Sequence, residues 1–288
     1  MTTLFCFGFG YSAMALARHL AARGWRVSGT ARSDERASDI RAAGFEPILF
    51  SNDGALVDIQ EAVERATHIL VSIPPGEGGD PVLRSFGDQL SAVSTLAWLG
   101  YLSTVGVYGN WDGAWVGEED EARPVSERSK RRVAAERAWL DLAAANTLPV
   151  HIFRLAGIYG PGRNALENLQ KGIARRIDKP GQVFNRIHVE DIARVLAASI
   201  GKPNPGAIYN VTDDEPSPPQ DVVAYAAKLL GPAPPPLIPF QDAELSPMGR
   251  SFYGENKRVR NDRIKSELGV TLAYPTYREG LRAILEGM

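Results

Sequence analysis

The feature that most constrains this chain is a glycine turn near its start. Gly8-Phe9-Gly10-Tyr11-Ser12-Ala13 follows directly on the apolar run Thr3 to Phe7 and leads into a helical stretch, Ala13 to Ala22, that Gly24 stops. A continuous apolar run of this kind reads as a strand buried on both faces, which calls for a parallel sheet covered by helices. In a G-x-G-x-x-G/A turn the first glycine makes the tight bend and the second lets backbone approach a pyrophosphate. The small third residue lets helix pack on strand. The N–H groups that open the helix then face the anion. A second strand, Arg26 to Thr30, follows within the ~30 residues that such a unit occupies. The plainer alternative is a glycine turn that only joins strand to helix.

The same alternation continues. Ser33 is placed to cap a second helix ending at Gly44, with strand three at Glu46 to Phe50 and strand four at His68 to Ile73, broken by Pro74-Pro75-Gly76. Leu99 to Thr104 reads as strand five, Ser126 to Ala145 as a long helix and Val150 to Leu155 as strand six. Six strands with crossover helices predict an α/β fold, a Rossmann-type doubly wound parallel sheet. Beyond Gly160 the rhythm loosens: helices are expected at Ala165 to Arg176, Asp191 to Ile200, Val222 to Leu230 and Thr276 to Glu286, with a seventh strand at Ile208 to Val211. The expected division is a dinucleotide-binding domain over 1–163, to which 187–215 returns. Residues 164–186 and 216–288 form a smaller C-terminal substrate lobe; substrate sites commonly lie between such lobes.

Composition narrows the partners. Lys and Arg number 32 against 34 Asp and Glu, a net charge of −2, and neither half carries a basic excess, so no nucleic-acid partner is expected. No apolar run approaches the ~20 residues of a membrane span, and the N-terminus lacks the charged start and cleavage site of a secretory signal. One cysteine, Cys6, lies in an apolar run as a buried thiol, and with 4 scattered histidines there is no metal-ligand spacing. A metal-free, cytoplasmic protein acting on a small molecule is the expectation.

Strand two ends Gly29-Thr30-Ala31-Arg32-Ser33, without the acidic residue that would bind a ribose 2′-hydroxyl; Asp34 comes too late. Arg32, with its charge and forked donors, suits a 2′-phosphate. NADP(H) is therefore the expected cofactor and NAD(H) the alternative; a solvated arginine at a helix start is the bland reading.

Further motifs carry a resemblance. Leu102-Ser103-Thr104-Val105-Gly106-Val107-Tyr108-Gly109, Arg154-Leu155-Ala156-Gly157-Ile158-Tyr159-Gly160-Pro161-Gly162, Ile187-His188-Val189-Glu190-Asp191-Ile192-Ala193 and Tyr209-Asn210-Val211 follow one another, with Lys257-Arg258-Val259 and Tyr274-Pro275 to Gly280-Leu281 near the end. Together they resemble the extended short-chain dehydrogenases/reductases, the NAD-dependent epimerase/dehydratase family. The resemblance implies a Ser/Thr on strand five that orients the substrate oxygen, a tyrosine acting as general acid/base, and a lysine four residues on that lowers the tyrosine pKa and holds the nicotinamide ribose. Thr104 falls on the first position and Lys130 on the lysine, while Ser126 stands where the tyrosine is expected. A serine hydroxyl is far less acidic than a phenol, so the substitution departs from the family's chemistry. The turn departs too, with G-x-G-x-x-A where extended members show G-x-x-G-x-x-G. Thr104, Ser126 and Lys130 are the candidate catalytic residues. Gly8, Phe9, Gly10, Tyr11, Ser12, Ala13, Arg32, Ser33, Ile73 and Lys130 are the candidate cofactor contacts.

The expected function is an atypical NADP(H)-dependent oxidoreductase or epimerase/dehydratase on a carbonyl or sugar-like substrate. The alternative is a catalytically inactive dinucleotide-binding redox sensor. A homodimer is expected by resemblance. Tyr253 and Lys257 match Y-x-x-x-K by spacing alone and read as a chance match; Tyr108 and Tyr159 read as packing or crevice-lining residues. Glu118, Glu119 and Asp120 read as a solvated acidic loop. Arg123, Arg128, Lys130, Arg131, Arg132 and Arg137 read as a solvated face paired with Glu127 and Glu136, against the alternative of attracting an anionic cofactor or substrate. His188 reads as a hydrogen-bonded packing histidine, and Trp111 and Trp115 stay open between stacking on a ligand and packing their loop.

Overall fold

The computed structural model describes residues 2–50 and 55–288. Its elements in chain order are β1 (Thr3–Phe7), α1 (Tyr11–Ala21), β2 (Arg26–Ala31), α2 (Asp34–Ala42), β3 (Glu46–Leu49), α3 (Ala55–Arg65), β4 (His68–Val71), α4 (Pro81–Ala92) and β5 (Trp98–Thr104). A 3₁₀ turn, Val105–Tyr108, leads to β6 (Trp115–Val116), α5 (Glu127–Asn146), β7 (Val150–Leu155), β8 (Gly157–Tyr159), α6 (Ala165–Gln170), β9 (Arg176–Asp178), β10 (Arg186–His188), α7 (Val189–Gly201) and β11 (Ile208–Val211). The chain closes with α8 (Pro219–Leu230), β12 (Leu237–Pro239), α9 (Pro247–Phe252), β13 (Arg258–Val259), α10 (Asp262–Ser266) and α11 (Tyr277–Glu286).

Seven strands form one sheet in the order β11-β7-β5-β4-β1-β2-β3. Every pairing in it is parallel, as the continuous apolar strands require. The order reverses between β1 and β4, which opens a crevice beyond their C-terminal ends. The two faces are read directly from β1: Leu4 and Cys6 turn to one side with α1, α2 and α7, and Phe5 and Phe7 to the other with α3, α4 and α5. Burial pushes the Cys6 thiol far above its ordinary pKa, as expected of an inert buried cysteine.

Three short parallel pairs lie outside the main sheet: β10 with β8, β12 with β9, and β13 with β6. A separate apolar cluster joins Leu166, Val222, Ala226, Tyr277, Leu281 and Ile284 from α6, α8 and α11.

Several expected bounds move. Strand four stops at Val71, but Ser72 N still donates to Phe7 O at 2.9 Å, so the chain stays beside β1. The helix expected over Ala165 to Arg176 ends at Gln170, because Gly172 takes φ +67° and Arg176 enters β9. The helix expected from Asp191 begins at Val189, with His188 Nδ1 accepting from Glu190 N at 3.3 Å. Among the described residues, no helix is long and apolar enough to cross a membrane, and no cluster of His, Cys, Asp and Glu could hold a metal ion.

Candidate functional site

The glycine turn is held from below by β2 and β4. Gly8 N donates to Thr30 Oγ1 at 2.7 Å and Phe9 N to Thr30 O at 2.9 Å, while Ser72 Oγ donates to Gly8 O at 2.5 Å. Gly8 has φ +86°, and a Cβ there would lie 2.8 Å from Ser72 Oγ and 3.0 Å from Ile73 Cγ1. The first glycine is thus required by both backbone conformation and contact. Ile73 touches the turn through this approach. Phe9 is buried, its ring 5.5 Å from that of Phe45, and its carbonyl accepts from Arg36 Nη2 at 2.9 Å and Nε at 3.2 Å.

Gly10 behaves differently. It is the N-cap of α1 with φ −88°, and a Cβ built on it meets no heavy atom within 4 Å. Open space therefore lies in front of the helix terminus, whose first N–H groups have no carbonyl behind them. Such an opening fits a pyrophosphate. Ser12 and Ala13 are buried against the sheet, and Tyr11 OH donates to Pro161 O at 2.8 Å.

At the end of β2, Ser33 caps α2, accepting from Arg36 N at 3.3 Å, and Asp34 is the first helical residue. Arg32 is exposed and pairs with no carboxylate among the described residues.

A cavity of about 850 Å³ adjoins the turn, within the range of small-molecule sites. Gly10, Tyr11, Ser12, Ser72, Thr104 and Ser126 line it together with residues from both ends of the chain, including Tyr159, Arg186, Tyr253 and Lys257. Another hollow, of about 980 Å³, lies against β1–β3 and α3, but at the N-terminal ends of the strands, away from the turn.

The expected catalytic residues separate. Thr104 lines the cavity, and its Oγ1 accepts from Gly106 N at 3.1 Å. Ser126 also lines it, as the N-cap of α5: its Oγ accepts from Ser129 N at 3.1 Å and donates to Ser129 Oγ at 2.9 Å. Lys130 does not. Its Nζ pairs with Glu127 Oε1 at 2.7 Å and its side chain is 55% exposed. The reason is geometric: Ser126 has extended φ/ψ (−85°, 150°), so counting four residues from it does not define a helical face. Counted within the helix, the i, i+4 pair at the cavity is Arg128 and Arg132. Arg132 Nη1 donates to Leu102 O at 2.6 Å and to Tyr101 OH at 3.1 Å. This pair lies two residues beyond Ser126 and Lys130 in the sequence.

Glu136, expected on a solvated face, is buried. Arg154 grips its carboxylate through Nη2 at 2.8 Å and Nε at 3.2 Å, and Ser103 Oγ donates to it. Arg154 Nη1 donates to Tyr108 OH at 2.9 Å, and Tyr108 OH to Asn210 Oδ1 at 2.8 Å. Glu118 is not simply a solvated loop acid, since its Oε1 accepts from Asn210 N at 2.8 Å; burial raises its pKa. This network lies behind the C-terminal ends of β5 and β7 and fixes the backbone that carries Thr104.

Tyr253 and Lys257, whose spacing alone reads as a chance match, both line the cavity. The Tyr253 ring packs 5.1 Å from those of Phe184 and Phe240, and burial raises its pKa. Lys257 Nζ donates to Gly109 O at 2.8 Å and to Glu255 at 2.6 Å; burial lowers its pKa. His188 packs between Tyr159 and Tyr274, and burial lowers its pKa to about 4. Trp111 packs its loop, donating to Tyr108 O at 2.9 Å beneath Arg123.

Comparison with known proteins agrees with this geometry. The model of the NAD dependent epimerase/dehydratase family matches residues 92–212. A functionally unknown conserved protein from Silicibacter pomeroyi DSS is 55% identical, with 100% of this chain and 99% of that one covered at a TM-score of 0.93. Over residues 92–212 the chain therefore resembles the NAD-dependent epimerase/dehydratase family. The Escherichia coli (strain K12) protein YeeZ is 28% identical over 279 residues, 93% of this chain and 94% of its own. A dTDP-glucose 4,6-dehydratase from Bacillus anthracis str. Ames, solved in complex with NAD, shares the family fold at a TM-score of 0.77 with 15% identity, over 99% of this chain and 96% of its own.

Proposed function

We propose that the protein binds a nicotinamide dinucleotide, NADP(H) in preference to NAD(H), across the C-terminal ends of β1, β2, β4 and β5. It uses this as an oxidoreductase or epimerase/dehydratase on a small carbonyl- or carbinol-bearing substrate in the adjoining cavity. The observation that carries the reading is Gly10, whose missing side chain leaves open space before the N–H groups of α1, directly beside the cavity. Those N–H groups hold the pyrophosphate. Arg32 supplies the cationic end that a 2′-phosphate needs where family members selective for NAD carry an acid.

When bound, the nicotinamide supplies or accepts a hydride. The chain's own residues do the rest. Thr104 Oγ1 orients the substrate oxygen at the end of β5, and the Ser126–Ser129 hydroxyl pair presents a second donor from the start of α5. No phenol stands on α5, so the proton falls to another group on the cavity wall. Tyr253 has the right chemistry: its phenol stays protonated at neutral pH and can donate. A cavity of this size and polarity suits turnover better than a sensor, which needs only the nucleotide. The sensor reading draws on Lys130, whose ammonium lies outside the cavity.

Calorimetric titration of cofactor-stripped protein with NADP(H) and NAD(H), repeated on Arg32→Ala, tests this. NADP(H) should bind more tightly, and the variant should lose about tenfold for NADP(H) with little change for NAD(H). Binding of neither nucleotide would overturn the reading; equal losses would remove the NADP(H) preference.

A further inference from the structure

The cavity beside the glycine turn is cationic in a chain whose net charge is −2. Arg128, Arg132, Arg163, Arg186 and Lys257 line it, against a single carboxylate, Glu255. That carboxylate is already taken by Lys257 Nζ at 2.6 Å. Arg132 and Arg186 donate to neutral oxygens: Arg132 to Leu102 O and Tyr101 OH, and Arg186 to Phe184 O and Ser217 O. Such acceptors satisfy hydrogen bonds without cancelling charge; the buried carboxylates of Asp80 and Asp213 act on Arg132 and Arg186 only through space.

Arg128 has not even that. Its guanidinium lies 5.1 Å over the Phe252 ring and pairs with no carboxylate among the described residues. Arg163 is likewise without a carboxylate there, but it sits in the loop whose Pro161 O accepts from Tyr11 OH, on the glycine-turn side. A cofactor pyrophosphate would account for Arg163. It leaves Arg128 and Arg132 unexplained, one turn apart on α5 and next to the Thr104 and Ser126 hydroxyls. Arg128 is exposed to solvent, so its charge is hydrated rather than stranded; with Arg132 it gives this wall of the cavity a positive potential that draws in an anion.

We infer that the substrate itself carries a carboxylate or phosphate monoester close to its reacting carbon, and that Arg128 grips this group at the α5 wall of the cavity. The inference rests on the cofactor reading above for which end of the cavity reacts. The role of Arg128 is to bind charge, not to transfer a proton. A guanidinium fork matches either oxyanion with two parallel donors.

The test uses the full-length protein saturated with NADPH, titrated at low ionic strength with oxamate, glycerol 2-phosphate and, as neutral control, oxamide. The wild type should bind at least one of the two anions and not oxamide, and which anion binds identifies the group. Arg128→Gln should weaken that binding about tenfold or more while NADPH affinity stays unchanged, and Arg128→Lys should restore part of it. Failure of both anions to bind the wild type, oxamide binding as tightly as the anions, or an unchanged anion affinity in Arg128→Gln would overturn the inference. Should NADPH itself fail to bind, the cofactor reading falls, and the same anion titrations without NADPH still decide the role of Arg128.

Discussion

Replacing Glu136 by alanine isolates the network that holds the site's back wall. The residue is 4% exposed and Arg154 5%, so the variant strands a buried guanidinium. The lost contacts are the bonds at 2.8 and 3.2 Å and the one from Ser103, while the Arg154–Tyr108–Asn210 chain remains without its anion. Removing one partner of a buried pair costs about 3–5 kcal/mol. That is a large share of the ~5–15 kcal/mol by which domains are stable. At roughly 2–4 °C per kcal/mol, the melting temperature should fall by roughly 6–20 °C. Urea denaturation followed by tryptophan fluorescence measures the loss. The double variant Glu136→Leu/Arg154→Met should recover most of it, because a well-packed apolar pair does about as well as a buried ion pair. A loss below about 1 kcal/mol for Glu136→Ala would refute the reasoning, since that is the scale of a solvated surface pair.

Other expectations follow from the same contacts. Lys130→Ala should leave nucleotide affinity unchanged and shift stability by no more than about 0.5 kcal/mol in urea denaturation, because its exposed i, i+3 pair with Glu127 is a surface contact; a tenfold loss of affinity would restore Lys130 to the site. His151 Nε2 accepts from Asn204 N at 2.9 Å, and burial lowers its pKa to about 4. Between the ordinary value near 6.5 and about 4 the unfolded chain binds a proton that the folded one refuses, so this group's contribution is complete above that window and lost as pH falls through it. Buried Asp191 and Asp213 are shifted up and act in the opposite sense, so the test is the difference in slope. His151→Asn should lose about 2 kcal/mol less than the wild type between pH 7.5 and 5, and identical slopes would count against the buried neutral histidine.

Local chemistry made much of the fold legible. Thr3–Phe7 reads as a doubly buried strand, Ser33 as a residue placed to cap a helix, and the glycine turn implies the switch point beside which the cavity lies. Bounds failed where the signal sat outside the segment. Arg176 joins β9 because β12, more than fifty residues on, pairs with it. The catalytic reading failed at Lys130 for a smaller reason: Ser126 is the N-cap and not a helical residue, and the helix's cavity-facing pair, Arg128 and Arg132, lies two residues further on. Tyr253 and Lys257 looked accidental because nothing in a spacing says which distant segment folds over a crevice. Glu136 looked solvated because its partner, Arg154, lies on a different element.

The central claim is that the open space before Gly10 is a nucleotide site. Fluorescence titration of wild type and Gly10→Val with NADPH tests it most directly. With φ −88° and no atom within 4 Å of its Cβ, the variant should fold normally, at a cost below about 1 kcal/mol. The account predicts saturable binding to the wild type and at least a tenfold loss in the variant. Equal affinities for the two proteins would contradict it, because a side chain standing where the pyrophosphate approaches must be felt.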